Sequence, residues 1–172
     1  MHRNGHYGAS LLAYAPIGFV VIALGFPTAA VGGGVLALGL AMVPDWDQRI
    51  PNVPHRGPTH TVHFAAAVGA VTGLLGAAMG ASVSSPDVDA LAVFGGAVLG
   101  ATTGTVSILA HIGADALTPM GVEPLGDDGP YITYDLWRAD STLGNYALLV
   151  LGGAAALLAF YLGRGVHAAL AG

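Results

Sequence analysis

The stretch ALAVFGGAVLGATTGTVSILAH, residues 90–111, decides the fold class. It contains no Asp, Glu, Lys or Arg, and it is long enough to cross a bilayer, which takes about 20 apolar residues in a helix. Gly96, Gly100 and Gly104 recur at four-residue spacing, which lets membrane helices approach closely, although a chain with 27 glycines also produces such rows by chance. The stretch predicts a membrane-spanning helix.

The composition of the whole chain is that of an integral membrane protein. Its 172 residues are 54% hydrophobic and only 9% charged, whereas about a quarter of the residues in soluble domains are charged. A net charge of −5 provides no basic surface, so we expect no nucleic-acid partner. Because the chain contains no cysteine, any metal must be held by nitrogen and oxygen ligands.

Five segments are apolar enough to span a membrane. They lie at about residues 9–26, 28–43, 61–83, 90–111 and 145–163. The first lacks a basic leader, so we expect a retained helix rather than a signal peptide. We predict an all-α, polytopic helix bundle with about five transmembrane helices, forming a single domain over residues 1–172 in the plasma membrane. The sequence does not indicate its oligomeric state.

The histidines and aspartates are predicted to gather at one face of the membrane. Since the chain crosses once per span, the segment before the first span and the loops at 44–60 and 112–144 lie on the same side. The opposite side receives the turn at 26–27, the loop at 84–89 and the tail. The candidate metal ligands on the shared face are His6, Asp45, Asp47, His55, His60, His111 and Asp115.

The spacing of these residues favours a shared metal site. His111 and Asp115 are four residues apart and share one face of a helix. Asp45 and Asp47, in an extended or turning segment, are expected to point the same way. A mixture of imidazole and carboxylate ligands is typical of zinc, manganese or iron. We expect two divalent ions, with zinc as the first choice, about 4 Å apart.

The loop at 44–60 adds a turn and a cation to this site. His55 and His60 bracket the residues RGPT, a turn that can fold both imidazoles inward. Arg56 beside them suits an anionic oxygen, because the guanidinium fork matches phosphate geometry. His63 is interpreted as an interfacial residue or as a hydrogen-bond donor behind the ligands. Asp127 and Asp128 are interpreted as residues of a solvated loop rather than as ligands.

Four short motifs carry a family resemblance. GHYGAS, PDWDQ, HRGPTH and SILAHIGADALTPMGVEPL, within residues 5–145, resemble in sequence and order the motifs of the YdjM-type family of small membrane-bound metal-dependent hydrolases. That family is distantly similar to zinc-dependent phospholipase C and single-strand nucleases. The resemblance implies a site formed by His6, Asp45, Asp47, His55, Arg56, His60, His111 and Asp115, with Thr118, Pro119 and Gly121 at its rim.

The function that this pattern favours is a membrane-embedded phosphoesterase. Two ions can polarise a phosphoryl oxygen and lower the pKa of a bound water, while Arg56 stabilises the developing charge. Asp45 or Asp47 is expected to bridge the ions or to accept the proton of the water. A phospholipid-like substrate would reach the site along the bilayer surface, with Tyr131, Tyr134 and Trp137 as interfacial contacts.

The distribution of arginines predicts the orientation. Arg3, Arg49, Arg56 and Arg138 lie on the metal face and Arg164 on the other. Even with Arg56 assigned to the site, the positive-inside bias places this face in the cytoplasm.

Two other functions remain open. A divalent-metal transporter would use similar ligands but would hold them near the bilayer midplane in broken helices, whereas these lie at helix ends and in loops. A non-catalytic structural or regulatory membrane protein, in which a metal fastens the loops at 44–60 and 112–144 together, is the other alternative.

Overall fold

The computed structural model describes residues 1–126 and 129–172 and confirms the all-helical fold class. The five helices are α1 (Arg3–Ala23), α2 (Pro27–Leu40), α3 (Val62–Val83), α4 (Ala90–Ala116) and α5 (Thr142–Ala171). Two short 3-10 helices, Pro44–Arg49 and Pro58–His60, lie between α2 and α3. The described residues contain no β-strand, only an isolated bridge between Val122 and Ile132. Within the described residues, five segments are long and apolar enough to cross a membrane.

The helix ends follow local capping signals more closely than the hydropathy pattern. Thr61, Asp89 and Ser141 each accept a hydrogen bond from a backbone N–H of the helix that follows, as N-cap residues do. α1 begins at Arg3, so the prediction that His6 precedes the first helix is wrong: His6 lies inside α1. Polar residues lower the hydropathy of this end without interrupting the helix.

The helices pack as two close pairs, and α2 contacts one helix of each pair. α1 lies along α5 and α3 along α4, while α1 contacts α4 and α2 contacts both α1 and α4. At the α3–α4 crossing the backbones touch, since a Cβ on Gly96 would lie 2.2 Å from the carbonyl oxygen of Gly76. α1 and α5 cross in the same way, because a Cβ on Gly152 would lie 2.1 Å from the carbonyl oxygen of Gly8. The glycine rows therefore serve helix packing.

The segments that carry the candidate ligands meet at one end of the bundle. The start of α1, the end of α2, the two 3-10 helices, the start of α3 and the end of α4 meet there. A small buried apolar cluster joins α3, α4 and the following loop beside this end. It consists of Ala65, Ile108, Ile112, Ala116 and Val122. This packing holds the loop segments against rigid helices.

Candidate metal centre

Five side chains from four segments meet at this end of the bundle. α1 and the two 3-10 helices supply one each, and α4 supplies two from a single face. Four of the residues are buried, whereas the side chain of Asp45 is 13% exposed. The five residues are His6, Asp45, His60, His111 and Asp115. The structure therefore brings together five of the seven predicted ligands.

Hydrogen bonds define which nitrogen carries the hydrogen in two of the imidazoles. The carbonyl oxygen of Ala41 lies 2.7 Å from Nδ1 of His111 and can only accept, so this Nδ1 is the donor. Nδ1 of His60 lies 3.0 Å from the hydroxyl of Thr59, which itself donates to Asp47. Nδ1 of His60 is therefore also a donor. Both neutral rings then present an unprotonated Nε2.

These two Nε2 atoms, of His60 and His111, are only 3.1 Å apart. Two nitrogen lone pairs at this distance repel each other unless a proton or a metal ion lies between them. Ligand atoms about 2.0–2.1 Å from one tetrahedral ion lie roughly 3.4 Å from each other. The separation therefore fits two ligands of a single ion.

Two carboxylates complete a set of four ligand atoms around the same point. Oδ1 of Asp45 lies 3.7 Å from Nε2 of His60 and 3.5 Å from Nε2 of His111. Oδ2 of Asp115 lies 3.4 Å and 3.5 Å from the same two nitrogens. These distances are close to the roughly 3.4 Å edge of a tetrahedral site. Two nitrogens and two oxygens can thus hold one divalent ion.

The remaining oxygen of each carboxylate faces His6. Nε2 of His6 lies 3.8 Å from Oδ2 of Asp45 and 3.6 Å from Oδ1 of Asp115. The His6 ring stacks on that of His111, with 3.7 Å between centroids, and neither of its buried nitrogens has a hydrogen-bond partner among the described residues. Unpaired buried polar atoms are rare in folded proteins. Their presence here fits a second cation between His6 and the two carboxylates.

Electrostatics around His60 favour a cation. Burial lowers the pKa of His60, but the carboxylates of Asp115 and Asp45 outweigh this effect, and its pKa lies above the ordinary value of 6.5. The same carboxylates attract a metal ion as well as a proton. His6, Asp45, His111 and Asp115 form one group that can hold a metal ion, since ligand atoms of all four lie within 4.8 Å of one another.

Asp47 lies on the other side of His60 from this cluster. Its Oδ2 is 3.4 Å from Nδ1 of His60, whereas Asp45 faces Nε2 of the same ring. The expectation that Asp45 and Asp47 point the same way is therefore wrong. The segment is a 3-10 helix, which turns by about 120° per residue, so residues two apart diverge.

His55 lies at the edge of the cluster. Its side chain is 36% exposed, and its Nδ1 lies 3.0 Å from Oδ1 of Asp47. A ligand atom of His55 lies within 4.8 Å of ligand atoms of Asp45 and His60, so these three form a second group that can hold a metal. Of the two histidines that bracket the turn, only His60 is buried.

Arg56 is fixed beside the cluster. Its guanidinium donates to Oδ1 of Asp115 at 2.9 Å and to the carbonyl oxygen of Gly121 at 2.6 Å, with longer contacts of 3.4 Å to the hydroxyl of Thr118. The amino group of Met1 also contacts Oδ1 of Asp115. Arg56 thus places a positive charge at the cluster and ties the loop after α4 to the end of that helix.

The model of the YdjM inner membrane protein family matches residues 1–164 of the chain. The chain belongs to this family. We found no match among curated proteins or among solved structures. Together with its five apolar helices, membership of the YdjM family makes this chain a multi-pass membrane protein in a lipid bilayer.

The YdjM-type motifs contain the candidate ligand side chains but do not indicate every residue that contacts them. Two contacts of the histidines were not predicted: the hydroxyl of Thr59 contacts His60, and the carbonyl oxygen of Ala41 contacts His111. The sequence could have indicated a role for Thr59, because it lies next to His60 inside HRGPTH. A backbone carbonyl gives no signal of this kind.

The other polar residues of this face lie outside the cluster. His63 is exposed on α3, Glu123 is half-buried, and Arg138 pairs with Asp140 at the surface. The predicted interfacial residues differ from one another: Tyr131 and Tyr134 are exposed, whereas Trp137 packs over Gly144 at the start of α5. Asp127 and Asp128, interpreted above as loop residues, lie outside the described residues.

Proposed function

We propose that this protein is a membrane-embedded, metal-dependent hydrolase that acts on a phosphoester at the membrane surface. The observation that carries the proposal is the 3.1 Å separation of the Nε2 atoms of His60 and His111, each of which faces the carboxylates of Asp45 and Asp115. The facing oxygens of Asp45 and Asp115 support it, because Oδ2 of Asp115 is buried without a hydrogen-bond partner among the described residues and a metal ion would satisfy it. The reaction class is inferred from the resemblance of the four motifs to those of membrane-bound metal-dependent hydrolases.

We assign the ligands of two divalent ions, zinc being the first choice and manganese or iron the alternatives. His60, His111, Asp45 and Asp115 would hold the first ion, and His6 with the outer oxygens of the two carboxylates would hold the second. When bound, such a pair of ions acts as a Lewis acid on a phosphoryl oxygen and makes a water molecule more acidic. Three protein ligands around the second ion would leave one coordination position for substrate or water.

Asp45 and Arg56 would have different roles in the reaction. With both carboxylate oxygens assigned as ligands, Asp45 would serve to hold the ions. Its side chain is 13% exposed while that of Asp115 is 1% exposed, so Asp45 lies on the side from which water or substrate can enter. Arg56 keeps a positive charge beside Asp115, where negative charge of an anionic substrate would be stabilised. Its longer contacts to Thr118 are the ones that a phosphate oxygen can replace most easily.

Exposed apolar side chains around this end of the bundle favour a lipid substrate. Trp46, Ile50, Met120 and Tyr134 are all more than half exposed on the segments that surround the cluster. Aromatic and apolar side chains next to transmembrane helices lie at the bilayer interface. A phospholipid or lipid phosphate can therefore approach the site without leaving the membrane.

Elemental analysis and an activity screen test the function together. We expect the purified protein to contain close to two divalent ions and to hydrolyse at least one substrate among phospholipids, lipid phosphates and nucleotides. Chelation should abolish the activity, and added zinc or manganese should restore it. A tightly bound ion without hydrolysis of any of these substrates would instead support a metal that only fastens the loops together.

We also propose that the metal face lies in the cytoplasm, and single cysteines can test this. The chain has no cysteine, so Gln48→Cys on the metal face and Asp87→Cys on the other each introduce a unique thiol at an exposed position. A membrane-impermeant maleimide applied to spheroplasts should label Asp87→Cys and leave Gln48→Cys unlabelled until the membrane is opened. The reverse pattern would place the site outside.

A further inference from the structure

The carboxylate of Asp47 is buried. Its hydrogen-bond partners lie in the second 3-10 helix and in the residues just before it. Its residue surface is 1% exposed. Oδ2 accepts hydrogen bonds from the backbone N–H of Arg56 at 3.1 Å and from the hydroxyl of Thr59 at 2.9 Å, and Oδ1 lies 3.0 Å from Nδ1 of His55. Asp47 belongs to neither of the two groups that can hold a metal. A different role follows from these contacts.

The hydroxyl of Thr59 connects Asp47 to His60. A hydroxyl has one hydrogen, and an ionised carboxylate is the strongest acceptor within its reach. Once Thr59 donates to Asp47, its oxygen can only accept from Nδ1 of His60, at 3.0 Å. The direct approach of Oδ2 of Asp47 to the same Nδ1, at 3.4 Å, favours the same hydrogen position.

We infer that Asp47 and Thr59 are positioning residues, which hold His60 in the form that carries hydrogen on Nδ1 and directs Nε2 at the metal. Asp47 holds the hydrogen of His55 at Nδ1 in the same way. The inference shares the metal site with the proposed function but does not depend on hydrolysis. Residues that orient a metal-bound histidine in this manner typically change metal affinity by about 10–100-fold when substituted.

Thr59→Val is the decisive variant, with Thr59→Ser as its matched control. Valine keeps the shape of threonine and removes the hydroxyl, whereas serine keeps the hydroxyl. Metal-free protein with 15N-labelled histidine reports which ring nitrogen of His60 carries hydrogen, and a His60→Asn variant assigns the signals. At a pH that keeps His60 neutral, we expect hydrogen on Nδ1 in wild type and Thr59→Ser, and a substantial population with hydrogen on Nε2 in Thr59→Val.

Zinc binding provides the second readout. We expect the dissociation constant to rise about 10–100-fold in Thr59→Val and to stay near the wild-type value in Thr59→Ser. Asp47→Asn should weaken zinc binding while the number of ions bound at saturation stays the same, because Asp47 is not a ligand in this assignment. Circular dichroism of each variant verifies the helical fold.

The outcomes separate this inference from the proposed function. An unchanged His60 form together with unchanged zinc affinity in Thr59→Val would overturn it, as would loss of a bound ion in Asp47→Asn. If wild type binds no zinc, the proposed function fails, while the 15N signals of metal-free protein still decide the role of Thr59.

Discussion

His111→Ala is expected to lose zinc binding at the first metal position and, with it, hydrolysis. Nε2 of His111 lies within 3.1–3.5 Å of the donor atoms of His60, Asp45 and Asp115, so it belongs to the centre of the ligand set. Removing a ligand should weaken binding by more than the roughly 100-fold upper range for a residue that only orients one. Isothermal titration of the metal-free protein with zinc measures the effect.

The substitution should also lower stability when metal is absent. His111 contacts the carbonyl oxygen of Ala41 at the end of α2, so its loss removes a tie between α2 and α4. The buried carbonyl oxygen of Ala41 then loses its donor, and an unsatisfied buried polar group costs about 1–3 kcal/mol. Thermal unfolding of the metal-free variant in detergent is therefore measured beside the titration.

His167→Ala is the matched control. His167 lies near the end of α5 and packs against Gly25, in the turn between α1 and α2 at the opposite end of the bundle. Its zinc content and activity should equal those of wild type. Wild-type zinc affinity in His111→Ala would exclude His111 as a ligand and remove the basis of the proposed site.

Hydropathy and the number of crossings were sufficient to predict the helices and the meeting of their ends. Each span contributes a run of apolar residues that only a helix can carry across a bilayer, so the five helices follow from composition. Two crossings between successive polar segments return the chain to the same side. This counting brought His6, Asp45, His60, His111 and Asp115 to one end without any knowledge of packing.

The arrangement inside the loop at 44–60 could not be predicted in the same way. PDWD fits an extended segment and a 3-10 helix equally well, and the two place alternate side chains differently. Only the 3-10 form separates Asp45 from Asp47 across the ring of His60. Arg56 has a φ of 62°, a left-handed conformation that tertiary contacts impose and that the sequence does not signal.

Gly96→Ala should destabilise the protein far more than the same change at its neighbour. A Cβ at Gly96 would lie 2.2 Å from the carbonyl oxygen of Gly76, a backbone atom that can move only if α3 and α4 separate. Overpacking of this kind costs about 1–3 kcal/mol and occasionally more. Gly95 has no atom within 4 Å of the corresponding position, so Gly95→Ala should be close to neutral. Unfolding by SDS in mixed micelles, followed by circular dichroism, compares the two.

Gly96→Ala and Gly95→Ala also test whether the packing of α3 on α4 determines the geometry of the metal centre. α4 carries His111 and Asp115, and His60 directly precedes the capping residue of α3, so the α3–α4 distance sets the distance between their ligand atoms. Separation of the helices at Gly96 should therefore weaken zinc binding as well as stability, whereas Gly95→Ala should preserve both. If Gly96→Ala and Gly95→Ala unfold at the same SDS fraction, then the close backbone contact contributes nothing to the fold. If Gly96→Ala is destabilised but binds zinc normally, then the loops at 44–60 and 112–144 hold the ligands independently of the α3–α4 crossing.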